Sequence, residues 1–398
     1  MLKRFFNSLE DPDRPLLGPN YWILKKLGLL LHFGKLGNIF TILIHNMGLL
    51  FVSTQYVDLY LIRSDLDLVL QNLKISMLSV VCVLKVNTFL LWCSKWKEVI
   101  NYVTEADKYE RNTDNPDNVQ IVKKYTKYCR RITYNYWILV FTTAFITVVT
   151  PLLQYAYSST FRESVKNGTE AFPHIFSSWV PINKNDFPFN WVTVAWHTYI
   201  CVQGALVVMA YDTNVMVTMV FIGGKLDLLR ERCKLMVGVN GVTTSNVDLA
   251  EKLRELHKTH VLILRYSRLF NSLLSPVMFF YMVMCTLMLC SSAYQLTSAT
   301  STAQKLIMAE YITFGVAQLF IFCWLSDDVL TKSEKVMLGP YESQWWLADS
   351  KQRRSVFLMA GQLRIIQVFT AGPFANLTLP TFIHILKAAY SYYTLLKK

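Results

Sequence analysis

Paired histidines are where this sequence could bind a metal ion or transfer protons, because imidazoles three or four residues apart share a helix face. The seven histidines are scattered, and only His257 and His260 lie close together. That pair sits in a charged stretch without a third ligand or an intervening glutamate, so a solvated helix face explains it. No glycine-rich phosphate loop, metalloprotease motif or cofactor motif occurs elsewhere. The sequence therefore predicts no catalytic residues, no metal site and no cofactor, and the chain is not expected to be an enzyme.

The cysteines do not have the arrangement of a disulfide framework. Six of the eight fall in or at the ends of apolar stretches, and the longest polar connection between apolar stretches, 158–190, contains none. A secreted disulfide scaffold would place its cysteines in such connections. We expect no structural disulfide among Cys82, Cys93, Cys129, Cys201, Cys233, Cys285, Cys290 and Cys323.

The composition indicates a membrane protein. Hydrophobic residues make up 53% of the chain and charged residues only 17%, with 24 Phe, 21 Tyr and 14 Met. An ordinary soluble domain of this size is less apolar and more charged. Windows of about 20 apolar residues are long enough to cross roughly 30 Å of hydrocarbon. Seven such windows occur, at 36–61, 70–92, 132–157, 191–221, 269–296, 306–324 and 374–396.

The distribution of Lys and Arg predicts the orientation of these spans. Segments 1–35, 94–131, 222–265 and 327–354 together contain 28 Lys and Arg, whereas the alternate connections and the carboxy terminus contain 7. Cytoplasmic flanks have an excess of these residues. We therefore predict an all-α, seven-transmembrane helix bundle with a cytoplasmic N-terminus and an extracellular C-terminus.

The formal net charge of +13 does not indicate nucleic-acid binding. Basic residues on one membrane face orient the protein and attract anionic lipid heads, which makes membrane lipid the expected partner of this surface. No cleavable signal peptide is expected, since the first 20 residues lack an apolar core. The stretch 21–31, with Tyr21, Trp22 and two lysines, suits either a helix along the inner membrane surface or one packed on the protein.

Two glycosylation sequons occur, and their expected fates differ. Asn167-Gly-Thr169 lies in the connection 158–190, which the charge distribution places outside, so Asn167 is a predicted acceptor. Asn376-Leu-Thr378 lies inside the predicted last span and should stay unmodified.

The carboxy-terminal fifth of the chain contains three ordered motifs. They are Cys323-Trp-Leu-Ser-Asp-Asp-Val-Leu-Thr-Lys-Ser-Glu-Lys-Val336, then Tyr341-Glu-Ser-Gln-Trp345, and a last span closing on Tyr390-Ser-Tyr-Tyr-Thr-Leu-Leu396. This order resembles the carboxy-terminal signature of insect odorant receptors. The sequence departs from the family pattern at 326–329, where Ser-Asp-Asp-Val replaces the common Gly-Asn-Glu-Leu. The resemblance implies a subunit of a non-selective cation channel, opened by a small volatile odorant and assembled with the shared co-receptor as a heterotetramer. Its expected location is the plasma membrane of the olfactory neuron dendrite.

Other membrane receptors fit the sequence less well. Insect gustatory receptors share the inverted seven-span plan and are the main alternative, but their last helix typically ends in Thr-Tyr and then Gln-Phe, unlike Ser391-Tyr392 and the residues after it. A G-protein-coupled receptor would need an external N-terminus. Its Asp-Arg pair would also follow the third span, whereas here Asp13-Arg14 precedes the first. A transporter would need inverted repeats, which are not evident.

One face of the last span is small and polar. At a 4,3 spacing it contains Leu377, Thr381, His384, Ala388, Ser391 and Leu395. In a membrane, such a stripe suits either close helix packing or a wall facing water. The resemblance implies the second, with Thr381, His384, Ala388, Ser391 and Leu395 lining a pore shared by four subunits. It also places Leu395 at an outer apolar constriction that opens on wetting. Lys387 would then snorkel or point between subunits.

The resemblance also implies an odorant pocket in the outer half of the second, third, fourth and sixth spans. A pocket for volatile, mostly apolar molecules needs apolar walls and one or two polar groups. Ordinary bundle packing explains each candidate equally simply, and Trp196 and Tyr311 are preferred because each combines a large ring with a hydrogen-bond donor. The residues at that depth are Met77, Val81, Phe145, Val148, Val149, Trp196, Tyr199, Ile200, Tyr311 and Phe314.

The chain divides into four predicted parts. A cytoplasmic segment with an interfacial helix occupies 1–35, and a six-helix bundle with the pocket occupies 36–330. A cytoplasmic anchor occupies 331–373, and the pore-lining helix occupies 374–398. The basic connections 94–131, 222–265 and 327–360 have helical patterns, so we expect them to extend the spans into the anchor.

Overall fold

The computed structural model describes residues 9–396 except 114, 168, 170, 240, 241, 244, 245 and 299–301. The fold within these residues is almost entirely helical, with two short hairpins. The helices are α1 Gly18–Lys26, α2 Lys35–Leu61, α3 Leu66–Leu91, α4 Cys93–Arg111, α5 Pro116–Tyr157, α6 Ser159–Lys166, α7 Phe189–Lys234, α8 Asn246–Ser298, α9 Thr302–Val336, α10 Leu338–Glu342, a 3-10 turn Trp345–Leu347, α11 Ser350–Gln362 and α12 Leu379–Leu396. The antiparallel hairpins are β1 Gly238–Val239 with β2 Val242–Thr243, and β3 Thr370–Ala371 with β4 Ala375–Asn376.

Six of these helices, α2, α3, α5, α7, α8 and α9, are long and apolar enough to cross a membrane. The seventh predicted span is α12, which has 18 residues and is shorter than each of these six. The predicted all-α membrane bundle is confirmed, while the orientation of its termini stays a prediction. The predicted helical extensions are also present. The 46 residues of α7 reach about 70 Å at 1.5 Å per residue, more than twice the hydrocarbon thickness.

Local sequence signals determine where several helices begin. The side chain of Asp65 accepts hydrogen bonds from the backbone N–H groups of Asp67 and Leu68 and so caps α3. Asn115 caps α5, whose first residue is a proline. Asp349 and Gln352 form a reciprocal capping box at the start of α11.

Helix α7 lies at the centre of the bundle. Every residue from Val207 to Leu226 is buried, as expected for a helix that is apolar on all sides. Its neighbours approach closely. A Cβ at Gly224 would lie 2.6 Å from the Tyr125 ring of α5, so only glycine allows this crossing.

The amino-terminal helix α1 packs on the protein. Ile23 and Leu24 are buried in the main core, as are the first three residues of the helix, while Lys25 and Lys26 at its C-terminal end are exposed. Of the two interpretations left open for 21–31, the structure has the packed helix. It ends at Lys26, because Gly28 takes a left-handed φ of +69° and turns the chain toward α2.

The last helix begins five residues later than the sequence predicted. Residues 370–376 form the β3–β4 hairpin, in which Gly372 has a φ of +65° and packs against Phe279. Leu377 is fully buried outside α12, so it does not belong to the exposed stripe of that helix. Asn376 lies on β4 and is exposed, which corrects the expectation that its sequon is inside a span. Hydrogen bonds hold the hairpin in place: Thr370 N–H and Gly372 N–H donate to Asn271 and Ser275 of α8, and Leu377 N–H donates to the Phe369 carbonyl.

Candidate ligand cavity and last-helix face

A cavity of about 130 Å³ lies between α2, α3, α5, α7 and α9. Its walls are mostly apolar. An engineered apolar cavity of about 150 Å³ in another protein binds benzene, so this space suits a small organic molecule. The lining residues are His45, Gly48, Phe51, Ile75, Leu78, Ser79, Cys82, Val83, Val86, Val140, Thr143, Ala144, Thr147, Phe176, Ile200, Cys201, Gln203, Gly204, Ala205, Val207, Val208, Tyr311 and Phe314.

Three of the predicted pocket residues, Ile200, Tyr311 and Phe314, line this cavity. The other seven lie elsewhere. Met77 and Val81 are buried on other faces of α3, and Val148 packs in a small outer core. Val149 is half-buried, and Phe145 is 56% exposed. Trp196 is half-buried and stacks on the exposed Tyr199, with ring centroids 5.8 Å apart.

The predicted and the observed lining residues lie at similar depths along the helices. They differ because the helices are rotated about their axes so that other residues face the cavity. On α5 the lining residues are Val140, Thr143, Ala144 and Thr147, a complete i, i+3, i+4, i+7 stripe. The sequence prediction selected large apolar residues one or two positions away from that stripe. A stripe of small residues on α5 was the signal that could have identified this wall. The contribution of α2, through His45, Gly48 and Phe51, was also missed because only four spans were considered.

One side of the cavity, here called its roof, comes from the connection between α6 and α7, which the charge distribution predicts to lie outside. Phe176 lines the cavity and is buried beside Phe51, with ring centroids 5.7 Å apart. Hydrogen bonds hold the loop in place: Trp179 N–H donates to the Thr54 carbonyl at 3.1 Å, and Ser178 Oγ pairs with His197 Nε2 at 2.9 Å. The loop therefore holds Phe176 against this side of the cavity.

The loop also contains a titratable group outside the spans. Burial lowers the pKa of His174 from its ordinary 6.5, and the positive charge of Lys184 lowers it further. His174 lies against His197, with ring centroids 6.0 Å apart. The neutral imidazole is thus the form that fits this loop.

A buried polar network, here called the floor, lies one helical turn beyond the residues that line the cavity. Lys85 Nζ and Asp212 Oδ1 form an ion pair at 2.6 Å. Tyr136 Oη donates to Asp212, and Gln318 Nε2 donates to Asp212 Oδ2 at 2.6 Å. All of these side chains are buried. The network joins α3, α5, α7 and α9.

Each network residue lies one helical turn from a cavity residue. Lys85 follows Cys82, Asp212 follows Val208, and Gln318 follows Phe314. Tyr136 precedes Val140 on α5, which runs in the opposite direction. Three or four residues at a rise of about 1.5 Å each place the floor roughly 5 Å from the cavity wall on all four helices.

The last helix presents two different faces. Ile385 and Ala389 are buried against the bundle, and Phe382 contacts Phe320 of α9 with ring centroids 5.5 Å apart. On the other side, His384, Ser391 and Leu395 are exposed and Thr381 and Ala388 are half-buried, so the five predicted pore residues lie on or beside the open face. Lys387 is exposed on this face as well. The role of the five residues Thr381, His384, Ala388, Ser391 and Leu395 in lining a pore stays a prediction.

Asn167 is exposed at the C-terminal cap of α6. An exposed acceptor meets the steric requirement for glycosylation, and its modification stays a prediction. All eight cysteines are free. Within the part of the chain that the structure describes, no three His, Cys, Asp or Glu side chains are grouped as metal ligands.

The fold and the cavity define a multi-pass helical membrane protein with a mainly apolar cavity between its helices. The model of the 7tm Odorant receptor family matches residues 65–390. The chain belongs to this family, which confirms the resemblance found in its carboxy-terminal motifs. It is accordingly a receptor-family protein and not an enzyme.

Individual relatives are more distant and match over part of their length. The chain is similar to Odorant receptor 10 of Aedes albopictus, at 29% identity over 161 residues, and to Odorant receptor Or2 of Anopheles gambiae, at 27% over 150 residues. These matches cover 40% and 38% of this chain, and 42% and 40% of the two receptors.

A solved structure matches almost the whole fold. The insect olfactory receptor OR5 from Machilis hrabei in complex with eugenol superposes with a TM-score of 0.79 at 18% identity. The superposition covers 94% of this chain and 97% of the other. At this level of identity the likeness establishes the fold.

Proposed function

We propose that this chain is the odorant-binding subunit of a ligand-gated, non-selective cation channel that acts with the shared odorant receptor co-receptor. The observation that carries the proposal is the cavity of about 130 Å³ among five long apolar helices, with mostly apolar walls and a few polar groups. Such a space suits a small volatile molecule far better than an ion or a charged metabolite. Membership of the odorant receptor family supports the same ligand class.

The conducting path belongs to an assembly. In a single chain α12 leaves Leu395 66% exposed, together with His384, Lys387 and Ser391. One helix cannot enclose a pore, and charged or polar groups at membrane depth avoid lipid. An oligomer in which this face of α12 lines a central path accounts for both facts. We propose a heterotetramer with the co-receptor in the plasma membrane of the olfactory neuron dendrite.

The polar floor offers a physical connection between ligand and pore. Gln318 of the floor and Phe320, which contacts Phe382 of α12, are two residues apart on α9. A ligand that shifts α9 at Tyr311 or Phe314 would therefore act on the helix that supports α12. This is the route by which we propose that occupancy of the cavity biases the pore.

Current recording tests this function directly. Cells expressing the full chain together with an odorant receptor co-receptor should show cation currents when a panel of volatile compounds is applied. Cells with the co-receptor alone should lack the responses specific to this chain. Normal surface expression of both proteins without any compound-evoked current would reject the proposal.

A further inference from the structure

The cavity has six lining side chains with O–H or N–H hydrogens, and the acceptor of each hydrogen can be identified. They are His45, Ser79, Thr143, Thr147, Gln203 and Tyr311. A ligand can receive a hydrogen bond only from a hydrogen that no protein acceptor has taken. Whether any remains decides which polar ligands the cavity can satisfy.

On the α5–α9 side, every hydroxyl hydrogen is used. Thr147 Oγ1 donates to the Thr143 carbonyl at 2.8 Å. Its oxygen therefore accepts from Tyr311 Oη, 3.2 Å away. The Thr143 hydroxyl has both the Leu139 carbonyl, at 3.0 Å, and the Glu310 carboxylate as acceptors. These hydroxyl oxygens, including Tyr311 Oη, can therefore only accept a hydrogen bond from a ligand.

On the α2–α7 side, the same holds for the nitrogen donors. His45 Nε2 lies 2.9 Å from the Leu27 carbonyl and must donate to it, which leaves Nδ1 as an acceptor. The Gln203 amide nitrogen donates to that Nδ1 at 3.3 Å and to the Ile44 carbonyl at 3.4 Å. Both of its hydrogens are thereby used, and the two acceptors determine the amide orientation.

Gln203 Oε1 is consequently an acceptor that no protein donor satisfies. It is buried and has no hydrogen-bond partner in the protein. The remaining hydroxyl, of Ser79, donates to the Ile75 carbonyl at 3.1 Å. The thiols of Cys82 and Cys201 are weak donors at best, and Cys82 is directed to the Gly204 carbonyl at 3.6 Å.

We propose that this cavity selects volatile ligands with a hydrogen-bond donor, above all alcohols and phenols, over carbonyl compounds of the same size. The inference rests on the proposed function and names its ligand class. A hydroxyl ligand donates to Gln203 Oε1 or to Tyr311 Oη, which relieves an unpaired buried acceptor. An aldehyde, ketone or ester brings only another acceptor, and its carbonyl loses its water hydrogen bonds without replacement.

Matched pairs of compounds test the selectivity. The probes are benzyl alcohol against benzaldehyde, 1-hexanol against hexanal, and cyclohexanol against cyclohexanone, because each pair has equal numbers of heavy atoms. Currents are recorded from cells with the full chain and co-receptor. In the pairs that evoke current, the half-maximal concentration should be about fivefold to tenfold lower for the alcohol, as expected for one net hydrogen bond.

Two variants assign the effect to the proposed atoms. Gln203→Met retains the length of the side chain and removes the carbonyl oxygen, and Tyr311→Phe removes the phenolic oxygen. The half-maximal concentration of the carbonyl compound divided by that of its alcohol should fall in each variant that reaches the surface. This ratio should approach one when the two substitutions are combined. Phe314→Leu is the matched control, because it changes apolar contact alone and should shift both members of a pair together.

The outcomes separate the inference from the function on which it rests. Carbonyl compounds that match or exceed their alcohols in the wild type would overturn the donor selectivity and leave the channel proposal intact. An alcohol preference unchanged in both variants would overturn the assignment to Gln203 and Tyr311. Absence of current with every volatile compound would reject the proposed function itself.

Discussion

Lys85 and Asp212 form an ion pair with an Nζ–Oδ1 distance of 2.6 Å and side-chain exposures of 1% and 0%, at the floor of the ligand cavity. The pair connects α3 to the central helix α7. Tyr136 and Gln318 complete it with hydrogen bonds to the second carboxylate oxygen. A charge in this position is tolerated because its partner and these hydrogen bonds replace the lost hydration.

Removal of one partner of this pair should destabilise the protein strongly. Asp212→Asn leaves the Lys85 ammonium buried without a counter-charge, at a cost of about 3 to 5 kcal/mol. The loss of stability is measured by heating the detergent-solubilised protein and using size-exclusion chromatography to determine how much stays folded. The double variant Lys85→Met with Asp212→Asn should recover much of the stability. Equal stability of Asp212→Asn and wild type would mean that Lys85 is hydrated.

The two aromatic residues preferred from the sequence should behave differently. Tyr311→Ala enlarges the cavity and removes a lining hydroxyl, so the response to activating compounds should weaken by about 1 to 3 kcal/mol, roughly fivefold to more than a hundredfold in half-maximal concentration. Trp196 lies outside the cavity against Tyr199, and Trp196→Ala should change the response much less. Dose–response recording with matched surface expression makes the comparison. A larger effect of Trp196→Ala would place the ligand elsewhere.

Leu395 should act as part of an apolar constriction. A polar side chain eases the wetting of such a constriction, so Leu395→Ser should raise the current without odorant or alter ion selectivity. Leu396 is half-buried on a different face of α12, and Leu396→Ser should change resting current less. Whole-cell recording with the co-receptor compares the two variants. Wild-type resting current and selectivity in Leu395→Ser would exclude this helix from the ion path.

Asn167 should be glycosylated, because its sequon is exposed and the charge distribution places the loop outside. Glycosidase treatment should shift the wild-type band in electrophoresis. The Asn167→Gln variant should migrate like the deglycosylated protein, and Asn376→Gln should not change the shift. A shift that depends on Asn376 would reverse the predicted topology, as would an amino-terminal tag accessible on intact cells.

Acidification should loosen the loop that roofs the cavity. The pKa of His174 in the folded protein lies below its ordinary 6.5 because of burial and the Lys184 charge. Just below 6.5 the unfolded loop binds more protons than the folded one, so this contribution to stability falls as pH decreases. Lowering the external pH from about 7.5 to about 5.5 should therefore weaken ligand retention, measured as faster current decay after washout. His174→Gln should reduce the pH dependence, and an identical dependence in this variant would assign it to another group.

The sequence alone determined the fold class of this protein. Apolar runs long enough to span a bilayer must form helices, because the hydrocarbon offers no partner for backbone N–H and C=O groups. The ordered motifs from Cys323 to Leu396 determined the family. These signals are local and depend on composition and order, so no tertiary information was needed.

Only the tertiary structure decided which residues line the cavity and where the last helix begins. The cavity wall depends on the rotation of each helix about its axis, which packing on α7 sets. Thr143 and Thr147 therefore line it, while Phe145 faces outward. The predicted last span begins at Phe374, but the contact of Phe374 with Phe279 of α8 and the hydrogen bond from Leu377 N–H to the Phe369 carbonyl keep this segment outside the helix, which begins at Leu379. Lys85 and Asp212, which form an ion pair, are 127 positions apart in the sequence (212 − 85 = 127). No periodicity in the sequence predicts this contact.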